Sequence, residues 1–137
     1  MSQVKALPPR SKAKASDCWD LGKLFRSAVE WEKTFTKWTT KAKGYETFRS
    51  KLHESAATIA KVMQFDADIN RIGEALAIYA YHRASEDLSH SDSQGRKGRF
   101  QHAAAQIAQA ASWIHPELLA ISPKKINRFL QSKELVP

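Results

Sequence analysis

The chain has 137 residues, 42% of them hydrophobic and 26% charged, which is typical of a single globular domain rather than a disordered chain. Its five glycines and five prolines are too few for the many turns of an all-β fold. The formal net charge of +8 suits an acidic partner, yet the basic residues are spread along every predicted helix, as is usual on solvated helix faces.

The cysteine count predicts a cytoplasmic location. Cys18 is the single cysteine and cannot form an intrachain disulfide, which indicates a reducing compartment. No apolar stretch approaches the roughly 20 residues that span a membrane, so we expect no membrane partner. The basic N-terminus lacks the apolar core of a secretory signal, although a mitochondrial presequence remains an alternative.

The chain is predicted to divide into a flexible basic lead-in, residues 1–16, and one helical domain, residues 17–137. The domain opens on an apolar cluster that we expect to pack as an anchor, formed by Trp19, Leu21, Leu24 and Phe25. Helix one should then begin at Ser27, because Ser27 and Glu30 have the S-x-x-E spacing of a capping box.

Helix one carries aromatic residues at spacings of four and three, namely Trp31, Phe35 and Trp38, and Gly44 is its expected stop. Such a stripe could stack on the bases of a single-stranded nucleic acid, but at helical spacing it more often forms core, which is the interpretation we favour. Helix two is predicted over 47–65 and helix three over 67–88, with Asp66 or Asp68 as the N-cap between them.

Helix four is predicted to begin at Ser91, which has capping-box spacing to Gln94, and to end at Pro116. Its alanine-rich stretch, residues 103–111, should allow a neighbouring helix to approach closely. Ser122 then caps a short helix whose first residue is Pro123. Because the connections are short, successive helices should be antiparallel neighbours. The predicted fold is therefore all-α, an antiparallel bundle or array of about four long helices plus a short C-terminal helix.

Residues for catalysis are harder to find. A zinc peptidase of the H-E-x-x-H type needs histidines at i and i+4 on one helix face, with a glutamate after the first. The nearest approach is His53-Glu54, which we place on helix two, and Ala57 stands where the second histidine would be. The other four histidines form no metal-ligand spacing: His82, His90, His102 and His115. We therefore predict no catalytic, cofactor-binding or metal-ligating residue in this chain.

Two further polar features have ordinary interpretations. Arg83 and Asp87 are four residues apart, so we expect a helix-surface ion pair rather than a catalytic carboxylate site with Glu86. Cys18 has no neighbouring base in the sequence that would activate its thiol as a nucleophile.

A set of motifs occurs in a particular order along the chain. The motifs are Trp19-Asp20-Leu21, Leu24-Phe25, a helix with Trp31, Lys51-Leu52, the segment Leu76-Ala77-Ile78-Tyr79-Ala80-Tyr81, Glu86-Asp87, and the segment Trp113-Ile114-His115-Pro116-Glu117-Leu118-Leu119. In this order they resemble the N-terminal region of the oligoendopeptidase F family, and the resemblance covers the chain from about Arg10 to its end. One departure is Ser50, where the family usually has a glycine, which puts in doubt the tight packing that a glycine allows.

The resemblance implies a role as the helical wall of an enclosed substrate channel, in an enzyme similar to thimet oligopeptidases that cuts short peptides. It also implies that the zinc of the full-length family is held by residues beyond this chain, so that the chain is inactive alone. The implied partners are a separate catalytic chain or the peptide substrate. Two alternatives stay open: a free-standing helical interaction module, and a small basic nucleic-acid binder, which we disfavour.

Overall fold

The computed structural model describes residues 10–135, and in this range the regular elements are helices without a strand. The long helices are α1 (Ala28–Ala42), α2 (Ala56–Glu86) and α3 (Ser91–Ala111), followed by the short helices α4 (Ile114–Leu119) and α5 (Pro123–Leu130). The all-α prediction is confirmed. Most of the predicted lead-in, residues 1–9, lies outside the described residues. The short 3-10 helices Arg10–Lys12 and Ala15–Asp17 follow, and residues 11–16 are exposed.

Helix α1 begins at the predicted cap. The Ser27 hydroxyl accepts the backbone N–H of Glu30 at 3.2 Å. The return bond differs from that of a standard capping box, because the Glu30 carboxylate accepts the N–H of Arg26, at 2.8 Å, instead of that of Ser27. The helix ends at Ala42, and a 3-10 helix, Lys43–Thr47, carries the chain past Gly44.

The predicted break between helices two and three is wrong, since α2 runs unbroken through this region and begins only after the cap Ser55. Asp66 does not cap a helix. Its carboxylate accepts hydrogen bonds from the Tyr45 hydroxyl at 2.7 Å and from the Asn70 amide at 2.9 Å. Both oxygens therefore have donors other than the N–H groups of a helix N-terminus. Burial first, and then the bond to Asp66, raise the pKa of the Tyr45 hydroxyl above its ordinary range.

Helix α3 begins at Ser91, as predicted, but a different residue caps it. The N-cap is His90, whose Nδ1 accepts the N–H of Ser93 at 3.3 Å, so the predicted cap at Ser91 is wrong. Gln94 does not complete a capping box, because its amide donates to the carbonyl of Ala84 at 2.7 Å. This bond satisfies a carbonyl in the last turn of α2 and joins the two antiparallel helices near their connection.

Pro116 does not end the long helix. Helix α3 already ends at Ala111, and Pro116 lies in the first turn of α4, where a missing N–H removes no helical hydrogen bond. Helix α5 begins at Pro123 as predicted, but the Ser122 side chain makes no capping bond, and only its carbonyl accepts the first N–H groups of the helix.

The main core is built on the aromatic stripe of α1. Trp31 and Trp38 are almost fully buried, which confirms core over an exposed stacking surface. Their indole N–H groups each donate at 2.9 Å to a carbonyl of α2, Trp31 to Leu76 and Trp38 to Ile69. The two tryptophans are seven residues apart, and so are the two carbonyls. The later tryptophan binds the earlier carbonyl, so the two bonds together fix the antiparallel register of α1 and α2.

Helix α3 closes the bundle over the same aromatic residues. The Phe100 ring stacks on Trp38 with ring centroids 5.5 Å apart, and Ala103 is buried beside it. Nη1 and Nη2 of Arg99 each donate to one carboxylate oxygen of Glu32 on α1. The guanidinium of Arg96 lies over the Trp31 ring, 5.7 Å from its centroid. Ala103, Ala104, Ala110 and Ala111 on this face of α3 pack against the main core. The close approach of two helix axes along this stretch stays a prediction.

The anchor cluster before α1 is only partly as predicted. Leu21 and Phe25 are buried in the main core, and Phe25 contacts the Tyr79 ring edge to face. Trp19 is 77% exposed and makes a T-shaped contact with the His82 ring, with ring centroids 5.5 Å apart, so it is not buried as the expected anchor. The apolar character of these residues predicted the cluster, but it could not show which of them face the bundle.

A second core lies beyond the three-helix region, where the first turns of α2 meet α4 and α5. Its buried members are Leu52, Ala56, Ile59, Val62, Ile121 and Phe129. Because α4 and α5 are short, they cover this end of α2 incompletely, and the functional candidate lies there.

Candidate functional site: an apolar groove beside the C-terminal helices

The H-E segment does not form a metal site. His53 lies in an exposed turn ahead of α2 and not on a helix, which corrects its predicted position, and Ala57 sits in the first turn of α2. Within residues 10–135, no group of three or more histidine, cysteine, aspartate or glutamate side chains is arranged to hold a metal ion. The residues present therefore do not fit the zinc that the resemblance implies for the full-length family.

The predicted pair of Arg83 and Asp87 is wrong. Arg83 bonds to Glu86 at 2.9 Å, while Asp87 has left the helix as the C-cap of α2. The Asp87 carboxylate accepts both the hydroxyl and the N–H of Ser89, and these bonds lower the pKa of Asp87. The acidic segment thus shapes the turn between α2 and α3, which is a structural task.

An open apolar groove of about 560 Å³ lies between the start of α2 and the two C-terminal helices; we call it the C-terminal groove. Three large side chains in it remain substantially exposed: Met63 at 50%, Leu119 at 73% and Leu130 at 57%. The other lining residues are Ile59, His115, Leu118, Ile121, Pro123, Ile126 and Leu135. Concentrated exposure of large apolar side chains is the mark of a contact surface rather than of scattered surface residues.

Glu117 holds α4 in place beside this groove. Its two carboxylate oxygens accept the backbone N–H groups of Ser50, at 2.9 Å, and Leu52, at 2.8 Å. A carboxylate that accepts two backbone N–H groups makes strong, directional bonds. The glutamate of the P-E-L-L segment therefore ties α4, which carries the groove residues Leu118 and Leu119, to the turn before α2.

The turn that Glu117 grips contains a backbone conformation that favours glycine. Ser50 has φ of 62°, in the left-handed region, and it is the only non-glycine residue with positive φ among residues 10–135. A glycine would adopt this conformation without strain, so backbone conformation, rather than tight packing, is the physical reason for the glycine that the resemblance implies here.

Replacing Ser50 with glycine should raise the free energy of unfolding by about 0.5–1 kcal/mol, because relief of the left-handed strain outweighs the extra freedom of the unfolded chain. Chemical denaturation of the purified chain measures the change. Ser50→Ala is the matched control and should not stabilise, since alanine keeps the Cβ that opposes this conformation. Equal stabilisation by both variants would contradict the explanation.

Helix α5 separates the C-terminal groove from a basic surface. Its apolar side chains, Ile126, Phe129 and Leu130, share one face at helical spacing. Lys124, Lys125 and Arg128 line a hollow of about 340 Å³ on the other face. The charged ends of Lys125 and Arg128 lie 5.7 and 5.9 Å from the centroid of the Phe129 ring, so positive charge borders the apolar cluster directly.

Comparison with known proteins identifies the relatives of this chain. Oligopeptidase PepF of Bacillus subtilis (strain 168) is 31% identical over 133 residues, covering 96% of this chain and 20% of the relative. Group B oligopeptidase PepB of Streptococcus agalactiae serotype III (strain NEM316) is 23% identical over 112 residues, covering 82% of this chain and 19% of the relative. The chain is homologous to part of these two oligopeptidases, as the resemblance to the oligoendopeptidase F family predicts.

The chain spans about a fifth of the length of the curated relatives that it matches. No family model matches it, and no solved structure does. In the part of the chain that the structure describes, none of the helices is both long and apolar enough to cross a membrane.

Sequence reasoning found the family but missed the groove. Leu119 and Leu130 have the spacing of core residues, and nothing in that pattern distinguishes a covered face from an uncovered one. The sequence signal that could have indicated the groove is the separation of apolar and basic residues on opposite faces of α5. This pattern extends over only two helical turns.

Proposed function

We propose that this chain forms a helical, non-catalytic part of an oligopeptidase of the oligoendopeptidase F family, corresponding to the N-terminal region of such an enzyme. The observation that carries the proposal is the alignment of 96% of the chain with a fifth of an oligopeptidase. In this proposal the enzyme hydrolyses short peptides with a zinc ion held by residues outside these 137.

A non-catalytic role is supported by the positions of the polar side chains. His53 and Glu54 lie in an exposed turn, and the residue that should supply the second imidazole is Ala57. The strong polar bonds, such as those of Glu117 and of the two buried indoles, tie helices and turns together. These groups have structural partners, which suits a supporting element rather than a reaction centre.

A role as channel wall is supported by the dimensions and fixed register of the bundle. Helix α2 has 31 residues and so extends over roughly 46 Å. It is held against α1 by two indole-to-carbonyl bonds and against α3 by the stacked Phe100. A rigid surface of this length could bound a channel that admits short peptides and excludes folded proteins. The single cysteine supports placing this enzyme in the cytoplasm.

The proposal predicts that the purified chain hydrolyses no peptide. A fluorogenic oligopeptide should be stable in its presence, with or without added zinc, because the H-E segment supplies one imidazole where two are needed. The assay should include Glu54→Gln as a control for contaminating peptidases. Zinc-dependent hydrolysis that disappears in Glu54→Gln would contradict the non-catalytic role, whereas hydrolysis unchanged by Glu54→Gln would identify a contaminant.

A further inference from the structure

We infer that the C-terminal groove and the basic face of α5 form one docking surface, and that its occupant is an amphipathic segment of the oligopeptidase outside this chain, with apolar residues flanked by acidic ones. The inference rests on the proposed function and adds the surface and the chemistry of the partner.

The apolar half of this surface is already formed. Met63, Leu119 and Leu130 come from three different helices and converge on one groove with half or more of each side chain exposed. The hydrogen bonds of Glu117 fix α4, which carries Leu119, to the turn before α2. A preformed apolar groove binds a partner without the cost of ordering itself first. Helices with one apolar face commonly dock in grooves of this kind.

The positive charge on α5 favours a partner segment that carries acidic residues. The helix has three basic residues and no acidic one between Pro123 and Leu130, and the cationic ends of Lys125 and Arg128 border Phe129. A partner that covers α5 meets apolar side chains first and positive charge immediately beside them. Acidic residues flanking an apolar stretch complement both surfaces.

The same charge disfavours a second copy of this chain. A two-fold symmetric contact would place the same patch on both sides, so the basic face of one α5 would approach that of the other. The net charge of +8 on each copy adds to this repulsion. The relative oligopeptidase PepF, in contrast, joins the homologous region to about four times its length of further chain, which is long enough to supply a partner segment.

The first test uses the whole chain and two synthetic helical peptides, one of leucine and glutamate and one with lysine in place of glutamate. Isothermal titration calorimetry should give at least tenfold tighter binding for the glutamate peptide, and binding should weaken as salt rises. Leu119→Asp should reduce affinity at least tenfold, and Val29→Asp, at an exposed position of α1 outside the groove, should not. Equal binding of both peptides, or equal effects of the two substitutions, would overturn the inference.

The second test places this chain in its proposed context. The chain carries Cys18→Ser, which removes its native cysteine, and Leu119→Cys, which introduces one in the groove. This variant replaces the matching residues of Oligopeptidase PepF to give a chimera. Maleimide labelling of that cysteine should be at least tenfold slower in the chimera than in the isolated chain. Protection without peptidase activity would support docking and count against the proposed function. Activity with an unprotected cysteine would overturn docking and leave the proposed function standing.

Two other occupants have distinct signatures. Binding to vesicles of 70% phosphatidylcholine and 30% phosphatidylglycerol that Leu119→Asp abolishes, without binding of the glutamate peptide, would assign the surface to anionic lipid. Concentration-dependent dimerisation that Leu119→Asp abolishes would assign it to a second copy. Either result would overturn the inference.

Discussion

Replacing Glu117 with alanine should lower the free energy of unfolding by about 2–3 kcal/mol, because two backbone N–H groups lose a charged acceptor at once. One of them belongs to Leu52, whose side chain is fully buried in the second core, so water reaches this N–H poorly. Urea denaturation followed by circular dichroism measures the loss. We also expect α4 to detach from the turn before α2, which should be detected as faster hydrogen exchange at Leu52.

The control for Glu117 is Glu54→Ala, which removes an exposed carboxylate from the turn just after Leu52 and should change stability by less than about 0.5 kcal/mol. Glu117→Gln retains one acceptor oxygen and should fall between the two. If Glu117→Ala were no more destabilising than Glu54→Ala, the tie between α4 and the turn would not contribute to stability, and the account of how the groove is formed would be wrong.

Replacing Gly73 with alanine should lower the free energy of unfolding by about 1–3 kcal/mol, although alanine is the better helix former. Gly73 is buried in the middle of α2, and a Cβ there would lie 2.9 Å from Cζ2 of Trp38. The indole cannot move away easily, because its N–H donates to Ile69 and its ring stacks on Phe100. Overpacking against a fixed ring therefore outweighs helix propensity.

Gly98→Ala is the matched control for Gly73→Ala, since Gly98 is also helical but has open space where its Cβ would go. It should stabilise the chain by about 0.5–1 kcal/mol, so the two substitutions should have opposite signs. In a Trp38→Phe background the smaller ring leaves room, and the cost of Gly73→Ala should shrink. A destabilisation by Gly73→Ala that is unchanged in this background would show that Trp38 is not its cause.

The parts of the fold that sequence predicted are those that depend on spacing alone. Trp31 and Trp38 have a period that places them on one helix face, and that face is core. The helix class follows from the same period and from the scarcity of turn residues. The bond of Ser27 to Glu30 follows from a cap motif that needs only four consecutive residues.

Two of the wrong cap predictions come from bonds between residues more distant in sequence than a cap motif spans. Asp66 has the chemistry of an N-cap, but its partner is the hydroxyl of Tyr45, 21 residues earlier, so the helix continues through it. Gln94 matches a capping box locally, yet its amide bonds to Ala84 at the end of the preceding helix. Local motifs cannot reveal these competitors, because only the packed structure brings them within reach.

The candidate site was the least predictable part. The sequence indicates Ser50 only as a departure from the glycine that the resemblance implies. The structure shows that Ser50 has a left-handed backbone, in the turn that Glu117 holds. The exposure of Leu119 depends on how far two short helices extend over α2, which residue spacing does not encode. What the sequence did contain is the order of motifs from which the family was inferred.

The most direct measurement of the central claim is the peptidase activity of a chimera in which this chain replaces the 133 matching residues of Oligopeptidase PepF. If the chain is a non-catalytic helical part of such an enzyme, the chimera should hydrolyse a fluorogenic oligopeptide in a zinc-dependent manner, while the isolated chain should not. Glu117→Ala, which removes the bonds that tie α4 to the turn before α2, should reduce the activity of the chimera more than Glu54→Ala does. A folded chimera without activity would contradict the claim.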